Sequence, residues 1–150
     1  MNFSNSFSVS ASALTAQRLR MDVISSNIAN AETTRAQVSN GEFVPYRRKV
    51  VVMEPQKNSF DSILQSKMGG SNGVGQGVKV SAIQEDQSPL KPVYNPSHPD
   101  ANAEGYVYMP NVDITKEMVD MISASRSYEA NVTALNASKA MVMKALEIGR

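Results

Sequence analysis

The single histidine is the residue best suited to acid–base or metal chemistry. His98 stands in the turn-like segment Asn-Pro-Ser-His-Pro-Asp, two residues before Asp100. A common zinc site needs further His or Cys ligands, and the chain has no second histidine and no cysteine. A Ser-His-Asp arrangement would need a positioned serine and a buried acid, which this proline-flanked segment does not suggest. We therefore predict no catalytic residue and no metal site.

A glycine run at 73–77, Gly-Val-Gly-Gln-Gly, superficially resembles a phosphate-binding loop. No Gly-Lys-Ser/Thr follows, and the next segment has the pattern of a strand rather than a helix. The run is typical of a flexible linker, which we place at 57–77. Neither a bound cofactor nor enzymatic activity is predicted.

The densest basic cluster is Arg47, Arg48 and Lys49. On a strand, Arg47 and Lys49 share one face and Arg48 takes the other. The cluster fits a solvated edge strand protected from aggregation, and it equally fits an electrostatic contact to an acidic neighbouring subunit. With a formal net charge of +1 over 150 residues, nucleic-acid binding is not predicted.

Two heptad patterns, one near each end of the chain, predict two long helices. Of the positions that follow one another at intervals of three or four residues, seven of nine are apolar from Phe3 to Ala31 and eight of ten from Ile114 to Leu146. Asn111 or Asp113 can cap the second helix, and the helix dipole accounts for Glu117 and Asp120 near its start. Neither helix can bury such a stripe alone, so we expect burial against the other helix or against neighbouring copies.

The middle of the chain has no heptads. Strand patterns at Val44–Met53 and Val78–Ile83 predict a small β-hairpin, and the proline-rich stretch Pro89–Pro110 is expected to run extended. The predicted fold is mainly α: paired, coiled-coil-like terminal helices with a small β-hairpin and an irregular Gly/Pro-rich middle insertion. Residues 1–34 and 112–150 form the predicted helical axial core domain, and residues 35–111 form the middle segment.

Two segments suggest contacts beyond ordinary packing. Asn27 and Asn30 lie three residues apart near the end of the first helix, where they could terminate it or donate hydrogen bonds to another chain. In the second helix, Arg126 and Glu129 share a surface that fits either a solvated face or a contact. The predicted helix-packing and subunit-interface residues are Leu14, Met21, Ile24, Asn27, Ile28, Asn30, Met118, Met121, Arg126, Tyr128, Asn131, Val132, Leu135 and Val142.

Targeting signals are not apparent in the sequence. No stretch approaches the roughly 20 apolar residues of a membrane span, and Met1–Ala13 has neither a basic residue nor a continuous apolar core. We therefore expect no membrane span, and either a cytoplasmic location or export by a route without a cleaved signal.

The chain resembles bacterial flagellar axial proteins. Ser12–Thr34, with Asn-Ile-Ala-Asn at 27–30, is similar to their N-terminal signature. Gly105–Val112, Glu117–Asn131, Pro45–Lys49 and the short length together resemble the C-type proximal rod protein of the flagellar basal body. The similarity covers residues 1–56 and about 78–150.

The resemblance implies a non-enzymatic rod subunit that polymerises into the axial drive shaft, transmits motor torque and forms part of the export channel. Its implied partners are other rod proteins, copies of itself and the flagellar type III export apparatus, which exports it without a cleaved signal to the basal body in the cell envelope. The alternative is a soluble coiled-coil adaptor or secretion partner that is not built into the rod.

Overall fold

Two long helices bracket the chain in the computed structural model, which describes residues 3–39, 42–56 and 76–148. Helix α1 comprises Phe3–Ala29 and helix α2 comprises Ile114–Ile148. The described residues between them form three two-stranded sheets. A mainly helical chain with terminal helices and small strand pairs agrees with the architecture expected from the sequence. The predicted linker lies outside the described residues except for its last two positions.

Helix α1 begins at Phe3, in a serine-rich segment whose hydroxyls can compete for backbone groups. The serine hydroxyls donate back to the preceding turn: Ser8 Oγ lies 2.9 Å from the Asn5 carbonyl, and Ser12 Oγ lies 2.7 Å from the Val9 carbonyl. These bonds satisfy the hydroxyls within the helix and remove their competition for other backbone groups. Further along α1, Val23 and Ile24 are buried.

Helix α2 starts where the sequence predicted a cap. The Asp113 carboxylate accepts hydrogen bonds from the backbone amides of Thr115 and Lys116, at 3.0 and 3.3 Å. These two amides have no partner within the helix, so Asp113 supplies the acceptor that the first turn needs. Asn111 does not act as the cap, because its side chain is bonded to the Arg48 amide and the Asp86 carbonyl.

Along the chain, one antiparallel strand pair precedes the central sheet of β3 and β4 and another follows it. Strand β1 (Gln37–Ser39) pairs antiparallel with β2 (Glu42–Val44), and β5 (Lys91–Tyr94) pairs antiparallel with β6 (Tyr106–Met109). The second hairpin lies in the proline-rich stretch that was expected to run extended, and its two strands form a sheet of their own. Its turn places Gly105 at φ 82°, which favours glycine, and a side chain there would also meet the Tyr94 ring.

The central pair consists of β3 (Lys49–Pro55) and β4 (Val78–Glu85). The sequence predicted one strand from Val44 to Met53, but residues 45–48 leave the strand conformation. Pro45 has no amide to donate, and the next amides bond outside any sheet: Tyr46 N donates to the Thr33 carbonyl and Arg48 N to the Asn111 side chain. This short segment is therefore held by residues that follow α1 and precede α2 rather than by a neighbouring strand.

The chain divides into two compact units. One comprises Met1–Leu19, Val52–Ala82 and Ala124–Arg150, and the other comprises Arg20–Val51 and Ile83–Ser123. In the first unit, Ala16 and Ala124 are buried, and Ser12 Oγ accepts from the Val78 amide at 3.1 Å. The second unit holds most of the buried polar groups. No helix among the described ranges is both long and apolar enough to cross a membrane.

Candidate functional site

The side chain of Asn27 is the centre of a buried polar network in the second unit. It is 1% exposed and lies in the last turn of α1. Its Oδ1 accepts from the Tyr46 hydroxyl and the Lys49 amide, both at 2.9 Å. Its Nδ2 donates to the Lys49 carbonyl at 2.9 Å and to Glu117 Oε2 at 3.0 Å. The full hydrogen-bonding capacity of the amide is used, and its bonds tie α1 to β3 and to α2.

Glu117 is the second member of this network and is fully buried. Beyond Asn27, it accepts from Arg48, whose Nε lies 2.6 Å from Oε1. The carboxylate is in the first turn of α2, where the positive end of the helix dipole favours negative charge. A buried carboxylate is tolerated only when such partners replace its lost hydration.

Arg48 distributes its charge over three carboxylates. In addition to Glu117, its guanidinium lies 3.5 Å from Asp86 and 3.7 Å from Asp120. Burial lowers the pKa of Arg48, but the hydrogen bonds and charges of Glu117 and Asp86 outweigh it, so the pKa is raised. The planar fork of arginine is suited to several acceptors at once.

Further polar contacts extend the network to the loop after β4. Asn111 accepts from the Arg48 amide through Oδ1 and donates through Nδ2 to the carbonyls of Asp86 and Ser88. The two hydrogen bonds from Ser88 hold the pKa of Asp86 below its ordinary value, and Arg48 lowers it further. Arg20 of α1 joins Asp120 of α2 at 3.4 Å. The arrangement fixes segments distant in sequence against one another.

The network has the chemistry of a structural clamp. Its carboxylates are occupied by arginine and amide donors, and it contains no histidine or nucleophilic cysteine. Within the part of the chain that the structure describes, no group of three or more His, Cys, Asp or Glu residues could hold a metal ion.

A second polar cluster lies around Asp100. Arg35 forms a salt bridge and a 2.7 Å hydrogen bond to Asp100, and Thr34 donates to the same carboxylate at 2.8 Å. The hydrogen bond from Arg35 is the main cause of a lowered pKa for Asp100. The Asp100 amide donates to His98 Nδ1, so the histidine completes a turn. The Arg35 guanidinium also lies 4.8 Å from the centre of the Phe43 ring.

The three basic residues have different environments. Arg48 belongs to the network, and the Lys49 ammonium lies 5.7 Å from the centre of the Tyr46 ring. Arg47 is half-buried, with no ion pair among the described residues. A contact to an acidic neighbouring subunit remains a prediction for this cluster.

The predicted interface residues of α1 are all buried or half-buried in the single chain. Asn27 and Ile24 are buried. Asn30 donates to the Ser26 carbonyl and accepts from Thr33, as expected of a residue that ends a helix. The half-buried members of the predicted set are Leu14, Met21, Ile28 and Asn30.

In α2 the predicted residues are more mixed. Met118 and Arg126 are exposed, and Arg126 pairs with Glu129 at 3.1 Å. The half-buried members are Met121, Tyr128, Asn131, Val132, Leu135 and Val142. The most buried positions of α2, Glu117 and Ala124, are not in the predicted set.

Neither Tyr46 nor Asp86 was predicted to belong to a site, and the role of Glu117 was not predicted either. One signal was available for Glu117. Counting back from Tyr128 in steps of four and three reaches Ala124, Met121 and Glu117, which places a carboxylate at a core position of the heptad. A charge at such a position requires a partner, and the nearby basic cluster offered one.

Comparisons with known proteins were consistent with one another. The model of the family described as "Flagella basal body rod protein" matches residues 7–37, and that described as "Flagellar basal body rod FlgEFG protein C-terminal" matches residues 103–148. The flagellar basal-body rod protein FlgC of Bacillus subtilis is 65% identical over 97% of both chains. FlgC of Borreliella burgdorferi is 46% identical over 99% of this chain and 98% of its own. FlgC of Salmonella typhimurium is 43% identical over 97% of both.

We predict that Asn27→Ala destabilises the purified chain by about 2–3 kcal/mol, because it removes the side chain that bonds both backbone groups of Lys49, the Tyr46 hydroxyl and Glu117 Oε2. Denaturant unfolding measures the change. Asn136→Ala, at an exposed position of α2, is the control and should change stability by less than about 0.5 kcal/mol. Equal stability of the two variants would contradict the role of Asn27.

Replacing Arg48 by lysine should cost about 1–3 kcal/mol, because an ammonium cannot reach three carboxylates with the geometry of a guanidinium. Arg47→Lys is a matched control on the adjacent residue and should be nearly neutral. Thermal unfolding of both variants distinguishes them. The account of Arg48 fails if both variants melt together with the parent chain.

The Asp100 salt bridge predicts a pH dependence. Since folding lowers the pKa of Asp100, its stabilisation is complete above the ordinary value of 3.8 and is lost as pH falls through the lower folded value. Asp100→Asn should therefore melt below the parent at pH 7, and the difference should shrink below pH 3.8. Asp22→Asn, at an exposed position, should show no such convergence. A pH-independent difference for Asp100→Asn would contradict the assignment.

Proposed function

The chain belongs to the FlgC family of flagellar basal-body rod proteins, and from this premise we propose that it polymerises into the proximal rod of the axial drive shaft. It is a structural subunit of the flagellar basal-body rod. As part of that shaft it transmits motor torque through many contacts in parallel and lines part of the export channel. The relatives are named as rod proteins of the basal body, which supports a structural role rather than an enzymatic one.

The main observation in favour of polymerisation is the exposed apolar surface of α2. Met118, Val119 and Ile122 are exposed near its start, and Leu146 and Ile148 are 71% and 85% exposed near its end. Apolar surface of this extent on a single helix is typical of a protein that is completed by partners. Neighbouring subunits would cover it in a rod.

The terminal helices are the proposed site of this contact. We infer a coiled-coil-like arrangement in which α1 and α2 pack with each other and with helices of neighbouring subunits. The residues assigned to packing and subunit contact are the predicted set, with Leu14, Ile28, Leu135 and Val142 as its half-buried apolar members. Half-buried apolar residues gain further stabilisation when a neighbour removes their remaining surface from water.

Membership of the rod family places the chain in the basal body with other rod components as partners. We propose that it reaches this position through the flagellar type III export apparatus, without a cleaved signal peptide. The adaptor alternative finds no support in the names of the relatives reported above, which are those of basal-body rod proteins.

Replacing Leu135 or Ile28 with Asp should abolish rod assembly and swimming, because a carboxylate at a helix contact cannot be buried unpaired. Asn136→Asp introduces the same charge at an exposed position and should leave swimming intact. The measurements are motility in soft agar and the amount of chain recovered in purified basal bodies. Circular dichroism of each purified variant separates loss of assembly from loss of the helices.

Normal swimming of both the Leu135 and the Ile28 variant would contradict the structural role. The adaptor interpretation would instead be supported if cells built rods from which this chain was absent.

A further inference from the structure

An open groove runs beside α1 in the second unit. Its volume is about 490 Å³, and it is lined by Asp22, Val23, Ser26, Lys49, Ile83 and Glu85. Val23 is buried and forms an apolar floor, while Ile83 is 48% exposed at one side. A cleft of this size falls within the roughly 300–1,000 Å³ of typical ligand sites. It could therefore receive aliphatic side chains that protrude from another molecule.

The charges at this groove are unbalanced. Asp22 and Glu85 are exposed, and neither carboxylate has a hydrogen bond or ion pair within the described ranges. The one basic side chain of the lining, Lys49, lies against the Tyr46 ring. Two free carboxylates beside an apolar floor favour an occupant that combines aliphatic side chains with a cation.

The start of α2 presents such a surface. Met118, Val119 and Ile122 are 55%, 63% and 62% exposed and share one side of the helix. Lys116 stands one turn before Val119 and Asp120, is exposed, and its ammonium has no partner in the described part of the chain. We call Lys116, Val119 and Ile122, which follow one another at intervals of three residues, the α2 face.

We propose that the α2 face of one copy docks into the α1 groove of a second copy, with Lys116 opposite Asp22 and Glu85. The inference rests on the proposed rod function and names a contact by which copies meet. Charge complementarity and the apolar character shared by groove and face identify the occupant as a second copy of this chain.

The contact has a consequence for symmetry. The groove and the α2 face are different surfaces of the same unit, so a docked pair still offers one free groove on one copy and one free face on the other. Such a heterologous contact adds copies in one direction, as a helical assembly requires, whereas a self-complementary contact would stop at a dimer.

Charge reversal tests the electrostatic part of the contact. Lys116→Glu and Glu85→Lys should each reduce incorporation into basal bodies about tenfold, because each places like charges together at the interface. The double variant restores opposite charges and should recover most of the incorporation. Lys79→Glu, an exposed lysine outside both surfaces, is the control and should incorporate normally. Thermal unfolding of each purified variant checks the fold.

Crosslinking tests the geometry directly, because the chain contains no cysteine of its own. Copies carrying both Ile83→Cys and Val119→Cys should form a ladder of linked copies in purified basal bodies when treated with a short thiol crosslinker. Each single variant alone should give no ladder. Val38→Cys combined with Val119→Cys pairs two exposed positions without the groove and should also give none.

The two possible failures can be told apart. If the parent chain enters basal bodies but the double-cysteine chain gives no ladder, or links to a protein of different mass, the docking proposal is wrong and the rod function stands. The same holds if the charge-reversed pair fails to recover. If the parent chain is absent from basal bodies, the rod function itself is overturned.

Discussion

The rest of the structure depends on the burial of a fully bonded asparagine. Asn27 reaches from the last turn of α1 to both backbone groups of Lys49 and to Glu117 of α2. These partners are 22 and 90 residues away in sequence, so one side chain fixes a helix end, a strand start and a second helix start. Arg48 and Glu117 extend this fixed point into an ion network. Buried polar groups of this kind specify one arrangement, because alternatives leave them unsatisfied.

The buried polar network is accompanied by an exposed apolar surface on α2. Few large apolar residues are buried in the described chain, whereas Met118, Val119 and Ile122 are exposed along α2. A globular protein would use such residues in its own core, but a rod subunit gains from reserving them for its neighbours. Buried polar contacts give the subunit a defined fold before assembly, and exposed apolar residues remain for contacts with neighbouring subunits.

The features that follow local rules were predictable from the sequence. Heptad spacing located both helices, and Asp113 was a recognisable cap. The segment around Pro45 was not predictable as a break, because its amides bond to groups distant in sequence. The burial of Glu117 was not predicted for the same reason. The helix dipole alone explained a carboxylate near the start of α2, whereas the pairing of Glu117 with Arg48 is a tertiary contact. Local patterns define elements, whereas long-range polar contacts require the fold.

The central claim is that α2 keeps apolar surface exposed in the single chain and buries it in the rod. Methionine oxidation measures this directly, since exposed methionines are oxidised before buried ones. Met118, Met141 and Met143 are exposed, and the half-buried Met121 is an internal reference. Mass spectrometry after brief peroxide treatment should show the three oxidised in the purified chain and protected in intact basal bodies. Equal oxidation of the three in both forms would contradict the account.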